Sequence, residues 1–260
     1  MIALNFGFGS LEAEFWRWLF VMTRIGAAML AAPFFGAGSV PMQARVAVTG
    51  AVALLVCSWT QVAVPAAVLS VPGLLMVAGE VLVGLALGFA LQVLFAATTM
   101  AAEVIGGSMG MSLASTVDPH SGTHSPTLGQ YYMVVLTLVF LAVGGHLQWI
   151  ALLVKSYAVF PPGETWLAPD RLMMIVNFAT AMFVTAVAIA LPVILVLLIV
   201  QMVTGVLSRS APALNLFALG LPAGVLAGLA ALIASSSLIT DQMTQLSAQA
   251  IRAAGSIFAP

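Results

Sequence analysis

Between Arg171 and Arg209 the chain runs without a single Asp, Glu, Lys or Arg. No water-exposed surface is built from such a stretch. A helix crossing the hydrocarbon core of a bilayer needs about 20 mostly apolar residues to span ~30 Å. Further charge-free windows run from Arg45 to Glu80, Glu80 to Glu103, Asp118 to Lys155 and Arg209 to Asp241. Of the 260 residues 62% are hydrophobic and 6% charged, whereas a soluble domain carries roughly 25% charged residues. The pattern points to a membrane protein folded as one integrated bundle rather than several domains.

The formal net charge is −1 and the seven basic residues are scattered, so the clustered basic face that nucleic acid requires is missing. The only cysteine, Cys57, sits in the apolar run Val46 to Val64, where a free thiol behaves as a small hydrophobe. Met1 to Ser10 lacks a basic n-region and a small-residue cleavage site, and the first apolar run already carries Arg17 and Arg24. The N-terminus is therefore expected to be retained.

In lipid every backbone polar group must be satisfied within the protein, and the strict alternation of barrel strands is absent, so the expected fold is all-α. About six apolar helical segments are expected, several broken at Gly or Pro. The first covers Phe15 to Ala32 and ends before Pro33, because the residue ahead of proline disfavours the α region. The second runs from about Gln43 to Val64, and the third from Pro72 or Gly73 to about Ile105, longer than one crossing. A polar stretch, Gly106 to Gln130, follows, too long for a tight turn; loops of this length are often functional. The fourth apolar run, Tyr131 to Val143, is interrupted at Gly144, Gly145 and His146 before Leu147 to Phe160. The fifth, Leu172 to about Leu207, contains Pro192 and is expected to kink, break or fold into a hairpin. The sixth extends from Leu216 to Ile239 with Pro222 and three glycines, followed by a polar-faced tail helix. Arg45 and Arg209 fall on one side of an alternating topology and Lys155, Arg171 and Arg252 on the other, so the positive-inside rule selects no orientation.

Charges inside apolar runs mark a partner or a pathway by default, which singles out Arg24, Glu80 and Glu103. Arg24 and Glu80 read equally as a structural ion pair or as functional groups. Arg17 and Glu103 are near segment ends and can snorkel to the interface. Asp118, His120 and His124 share the long loop, but a metal enzyme needs a third ligand and a general base on a rigid scaffold. Asp118-Pro119 and Ser121-Gly122 are turn chemistry. Paired carboxylates, a nucleophile elbow and a phosphate-cradling loop are all absent, so the sequence offers no catalytic, metal or cofactor site. Met109 and Met111 stand among Gly106, Gly107 and Gly110, a composition suited to a soft closure element because methionine repacks readily and glycine frees the backbone. Gly205 to Pro222 combines Arg209, Pro212 and Asn215 with a second break at Pro222; irregular backbone there is tolerated only where buried in protein or facing water, and a polar joint for subunit contact and a plain re-entrant turn both fit.

These elements in this order resemble the FliR/SctT family of type III export-gate proteins. The resemblance is carried by Arg24, Gly26 and Pro33, by Pro41 and Arg45, and by Gly106, Gly107, Asp118, Pro119 and Gly122. It continues through Gly144, Gly145, His146, Ser156 and Pro161 to the run Gly205, Arg209, Pro212, Asn215, Phe217, Gly220 and Pro222. The last run favours the flagellar over the virulence branch. The resemblance implies a FliP-like part over residues 1–165 and a FliQ-like helical hairpin with a tail over 166–260. It implies a gate in the bacterial inner membrane formed with FliP and FliQ (SctR and SctS in virulence systems), next to FlhB and FlhA, that passes unfolded substrates. It further implies a helical stack largely above the membrane plane, so that hydropathy overstates true crossings. Residues 106–122 would then be a channel plug containing Gly106, Gly107, Met109, Gly110, Met111, Asp118, Pro119 and Gly122. Arg24, Glu80, Glu103, Arg209, Asn215 and Asp241 would be subunit-contact or buried polar groups. A small secondary transporter also has helices broken by Gly and Pro, but the chain shows no inverted repeat and is short for that class.

Overall fold

The structure is a computed structural model that describes residues 10–36, 40–60, 62, 70–111, 126–163, 169–210 and 216–256. The described residues form helices and connections, with no strand among them. In chain order the helices are α1 (Ser10–Ala31), α2 (Met42–Trp59), α3 (Val71–Ser108), α4 (Pro126–Ala142), α5 (Gly145–Val159), α6 (Pro169–Ser210), α7 (Leu216–Ala234) and α8 (Ser236–Ser256). The chain is thus an all-α membrane-type protein. Among the described residues Met42–Trp59, Val71–Ser108 and Met182–Ser210 are long and apolar enough to cross a bilayer, with mean hydropathies of 1.4, 2.3 and 3.1. Counting the bent pairs α4/α5 and α7/α8 as one span each gives up to five.

Where these helices begin and end follows from local chemistry. Pro41 stands at the N-cap of α2, and its carbonyl accepts from Ala44 N at 3.1 Å and Arg45 N at 3.3 Å. Thr60 ends α2 by turning extended (φ −124°, ψ 135°), five residues before the end expected from hydropathy at Val64. Gly144, at φ +72°, separates α4 from α5; L side chains rarely adopt this conformation. That break falls where the paired glycines place it. At Pro192 the outcome differs from expectation: α6 continues through it as one helix of 42 residues, neither broken nor folded back. A missing hydrogen bond inside an apolar helix is tolerated where neighbouring groups re-satisfy the freed carbonyl. The interruption near the C-terminus falls at Ser235, between α7 and α8, while Pro222 lies inside α7.

The chain divides into two compact units: Met1–Val93 with Gly144–Ala179 and Gln249–Pro260, and Leu94–Val143 with Thr180–Ala248. In the first, α1 packs on α3 through small residues. A Cβ at Gly84 would stand 2.2 Å from the Arg24 carbonyl oxygen, and one at Gly88 2.4 Å from Ala31 Cβ. The four-residue spacing Gly84/Gly88 lets two backbones approach closely, as in small-xxx-small membrane packing. Phe20, Val21, Ile25, Leu87, Leu91, Trp149 and Leu153 fill the surrounding core. Trp149 Nε1 donates to the Leu87 carbonyl at 3.2 Å, and its ring stacks on Phe35 with centroids 6.1 Å apart. In the second unit Phe95, Ile105, Tyr132, Leu136, Phe140, Ile189, Val193 and Met243 are buried. Phe95 and Phe140 meet edge to face at 6.3 Å. The outer side of α6 stays apolar, with Leu195, Ile199, Met202 and Val206 exposed, a surface suited to lipid or to other apolar protein.

Candidate functional site

Two constellations stand out, one in each unit. The first is built around Arg24, which is 1% exposed, and Glu80, 2% exposed. Arg24 Nε donates to Glu80 Oε2 at 2.8 Å and Nη2 donates to Oε1 at 2.7 Å, a side-on bidentate pair of the strong, charge-assisted kind. Nη2 also donates to the Phe160 carbonyl at 2.8 Å, and Nη1 to Ser156 Oγ at 3.0 Å. Ser156 Oγ in turn donates to the Leu153 carbonyl at 2.7 Å. The guanidinium carbon lies 4.2 Å from the centre of the Tyr157 ring, whose hydroxyl donates to the Val21 carbonyl at 2.7 Å.

This arrangement ties α1, α3 and the C-terminal end of α5 to one buried cation. Phe160 is the C-cap of α5, and a positive charge at a helix C-terminus is favoured by the aligned carbonyls. With four of its five N–H donors occupied, Arg24 acts as a structural clamp, and of the two readings open in the sequence the geometry favours the ion pair. Arg17 plays a related part at the periphery: its Nη2 donates to the Cys57 and Thr60 carbonyls at 2.8 and 2.5 Å, capping the end of α2, while Nη1 meets Glu14 at 3.3 Å. The snorkelling expected of Arg17 is here a specific cap.

The second constellation is the end of α3. Its last turn closes with Gly110 N donating to the Gly107 carbonyl and Met111 N donating to the Gly106 carbonyl, both at 3.0 Å. Gly110 has φ +84°. Paired 5→2 and 6→1 bonds with a left-handed glycine are the Schellman C-cap. Gly106 and Gly107 are therefore helical rather than part of the loop, and α3 runs three residues beyond its expected end at Ile105. Helix propensity does not explain this, since each glycine in a helix costs about 1 kcal/mol relative to alanine. Tertiary packing does. Met109 is 2% exposed and lies against α7, where a Cβ at Gly228 would stand 2.5 Å from its Cγ and 2.8 Å from its Sδ. A Cβ at Gly224 would stand 3.1 Å from the Met109 carbonyl oxygen, and one at Gly110 2.7 Å from Leu221 Cδ2. Gly220, Gly224 and Gly228 recur every four residues along α7, so two of them form a notch that the methionine fills. Fully burying such a side chain contributes roughly 1.5–3 kcal/mol, enough to offset the glycines. Gln201 Nε2 adds a hydrogen bond to the Ser108 carbonyl at 2.9 Å.

The other residues singled out in the sequence are not gathered with these. Glu103, Arg209 and Asp241 are exposed, on α3, at the last turn of α6 and on α8. Asp118, Pro119, Gly122, His120, His124 and Asn215 lie outside the described residues. Among the described residues no group of three or more His, Cys, Asp or Glu is placed to hold a metal ion. Sequence reasoning passed over the seat of Met109 on α7, although the four-residue spacing of glycines there was available as a signal.

Comparison with known proteins bears on the whole chain. The family described as "Bacterial export proteins, family 1" matches residues 15–250. The chain is 32% identical over 232 residues to the flagellar biosynthetic protein FliR of Escherichia coli K12, covering 88% of this chain and 86% of the relative. It is 31% identical over 232 residues to FliR of Caulobacter vibrioides, covering 87% and 92%. To FliR of Bacillus subtilis it is 29% identical over 224 residues, covering 85% and 86%.

Proposed function

The chain belongs to the FliR family of bacterial export proteins, and from that premise we propose that it is a subunit of the flagellar type III protein export gate in the bacterial inner membrane. The observation that carries the reading is the extent of the similarity: a match over 232 residues, 88% of the chain, to a flagellar biosynthetic protein, with the family matching residues 15–250. In this reading the chain assembles with FliP-like and FliQ-like subunits, beside FlhA and FlhB, into a channel for unfolded flagellar proteins. Residues 1–165 are the FliP-like part and 166–260 the FliQ-like part. The exposed apolar side of α6 supports burial against lipid or those subunits.

Within the gate, residues 106–122 act as the channel plug, with Gly106, Gly107, Met109, Gly110 and Met111 at its root and Asp118, Pro119 and Gly122 farther along. The buried clamp of Arg24 and Glu80 keeps α1, α3 and α5 in fixed register. Glu103, Arg209, Asn215 and Asp241 are subunit-contact groups. Export is a conduction process in this account, and the chain contributes shape and closure rather than catalysis.

Complementation tests the reading. Expressed in a flagellated bacterium lacking its own FliR, together with the cognate FliP-like and FliQ-like subunits, the chain is expected to restore secretion of flagellar proteins into the medium. Restoration of a virulence-type secretion system instead, with no flagellar secretion, would move the chain to the SctT branch. Uptake of a small solute by the isolated protein would favour a transporter.

A further inference from the structure

We propose that α1 and α2 bind one anionic phospholipid, with its phosphate on Arg45 and an acyl chain in the groove beside it. The inference goes beyond the export-gate reading and does not depend on it. Its first support is the groove. Between α1 and α2 lies a space of about 160 Å³ whose lining is apolar except for Thr49 and Arg45. Methionines from both helices form much of it, Met22 and Met29 from α1 and Met42 from α2, and methionine adapts to irregular apolar shapes such as a hydrocarbon chain. Gly26 keeps the space open: within 4 Å a Cβ there would meet only Thr49 Cγ2, at an ordinary 3.6 Å.

The second support is charge. Arg45 is the one charged residue in the groove lining. It stands at the start of α2, which has no acidic residue in its first turn and no side chain capping its N-terminus. The aligned backbone dipoles make that end of a helix favour an anion, and a guanidinium pairs with a phosphate through two parallel N–H donors. With five donors on the group, Arg45 holds a phosphate while keeping contacts within the protein. The third support is depth. The 18 residues of α2 extend about 27 Å at 1.5 Å per residue, close to the ~30 Å of a hydrocarbon core. At the far end Trp59 is 72% exposed, and Arg17 ties the C-terminus of α2 to α1 through the Cys57 and Thr60 carbonyls. Phe15, Trp16 and Trp18 gather at the same level, with the Phe15 ring centroid 6.1 Å from Trp16 and 6.0 Å from Trp18. Such aromatic belts mark a membrane–water interface. With this end at one interface, Arg45 falls at the phosphates of the opposite leaflet, and the lining through Val46 and Thr49 leads inward along the acyl chains.

Native mass spectrometry of the full-length chain, extracted in mild detergent with any subunits that copurify, tests this with dioleoylphosphatidylglycerol and dioleoylphosphatidylcholine as probes. One phosphatidylglycerol per copy of the chain is expected to stay bound, at least tenfold more tightly than phosphatidylcholine. Arg45→Gln should weaken that binding at least tenfold, while Arg45→Lys, which keeps the charge, should retain most of it. Gly26→Leu fills the groove and should abolish retention. Added phosphatidylglycerol should raise the melting temperature of the parent and leave that of Arg45→Gln unchanged, a readout that separates a lost site from a damaged fold. Equal retention of the two lipids, or parent-like retention by Arg45→Gln, would overturn the proposal. Displacement of the lipid by millimolar inorganic phosphate would do the same, because the site would then recognise the anion without the chain. So would loss of a copurifying subunit from Gly26→Leu with lipid retention unchanged, which would give the groove to a neighbouring protein. The export-gate reading is judged separately, by secretion.

Discussion

Arg24 satisfies four N–H donors on three residues of two other segments, Glu80 of α3 and Ser156 and Phe160 of α5, and its energetics are those of a buried pair. Bringing both charges out of water is costly, and removing one partner leaves the other uncompensated. Glu80→Gln and Arg24→Met are each expected to destabilise the protein by about 3–5 kcal/mol, read by thermal unfolding in detergent. The combination Arg24→Met with Glu80→Leu should recover much of that loss, because an apolar pair of similar volume avoids the desolvation. If the double variant is no more stable than the singles, the surrounding hydrogen bonds to Ser156 and Phe160 matter more than the charge pair. Arg24→Lys is not a conservative change here, since an ammonium cannot make the side-on bidentate contact. The charged residues themselves stood out in the sequence because apolar runs rarely carry them. Their partners did not, because Ser156 and Phe160 are 132 and 136 residues away along the chain and sequence spacing carries no information on contacts that remote.

At the scale of elements the helices are shaped by glycines used in three distinct ways. Gly144 supplies a left-handed backbone at φ +72°, Gly84 and Gly88 let α1 approach α3, and Gly224 and Gly228 receive Met109. Each use predicts a different failure. Gly144→Ala faces only backbone strain, because a Cβ there meets nothing within 4 Å, and should cost roughly 1–2 kcal/mol in a thermal melt. Gly88→Val instead collides with Ala31 and the Ala28 carbonyl, and is expected to lower stability by about 1–3 kcal/mol or more through overpacking. A Gly88→Val protein that melts like the parent would show that the close approach of α1 and α3 is not what holds them. The element pattern was legible where local rules decide it: the all-α class, the break at Gly144 and the connection after α1 all follow from composition and backbone chemistry. It was not legible where tertiary packing overrides local preference. Pro192 reads as a break, since proline in a helix interior costs about 3 kcal/mol, yet it lies within continuous α6; Gly106 and Gly107 read as loop yet are helical, because the packing of Met109 on α7 outweighs a preference of about 1 kcal/mol per glycine.

At the scale of the whole molecule, a chain with 62% hydrophobic residues and three to five candidate spans among the described residues has the composition of a membrane protein, and the family of bacterial export proteins matches it from residue 15 to 250. Shortening the root of the proposed plug should therefore affect closure more than assembly. Deleting Gly107 to Gly110 removes the cap of α3 and Met109 together, and is expected to leave the complex assembled but leaky to small ions; unchanged conductance would argue against closure by this segment. In the proposed gate, lipid or neighbouring subunits would cover the apolar outer side of α6. The most direct measurement is therefore native mass spectrometry of the chain co-expressed with its FliP-like and FliQ-like neighbours and extracted in mild detergent. The account predicts one copy of this chain within a defined hetero-oligomer. A stable species that contains neither neighbour would contradict it.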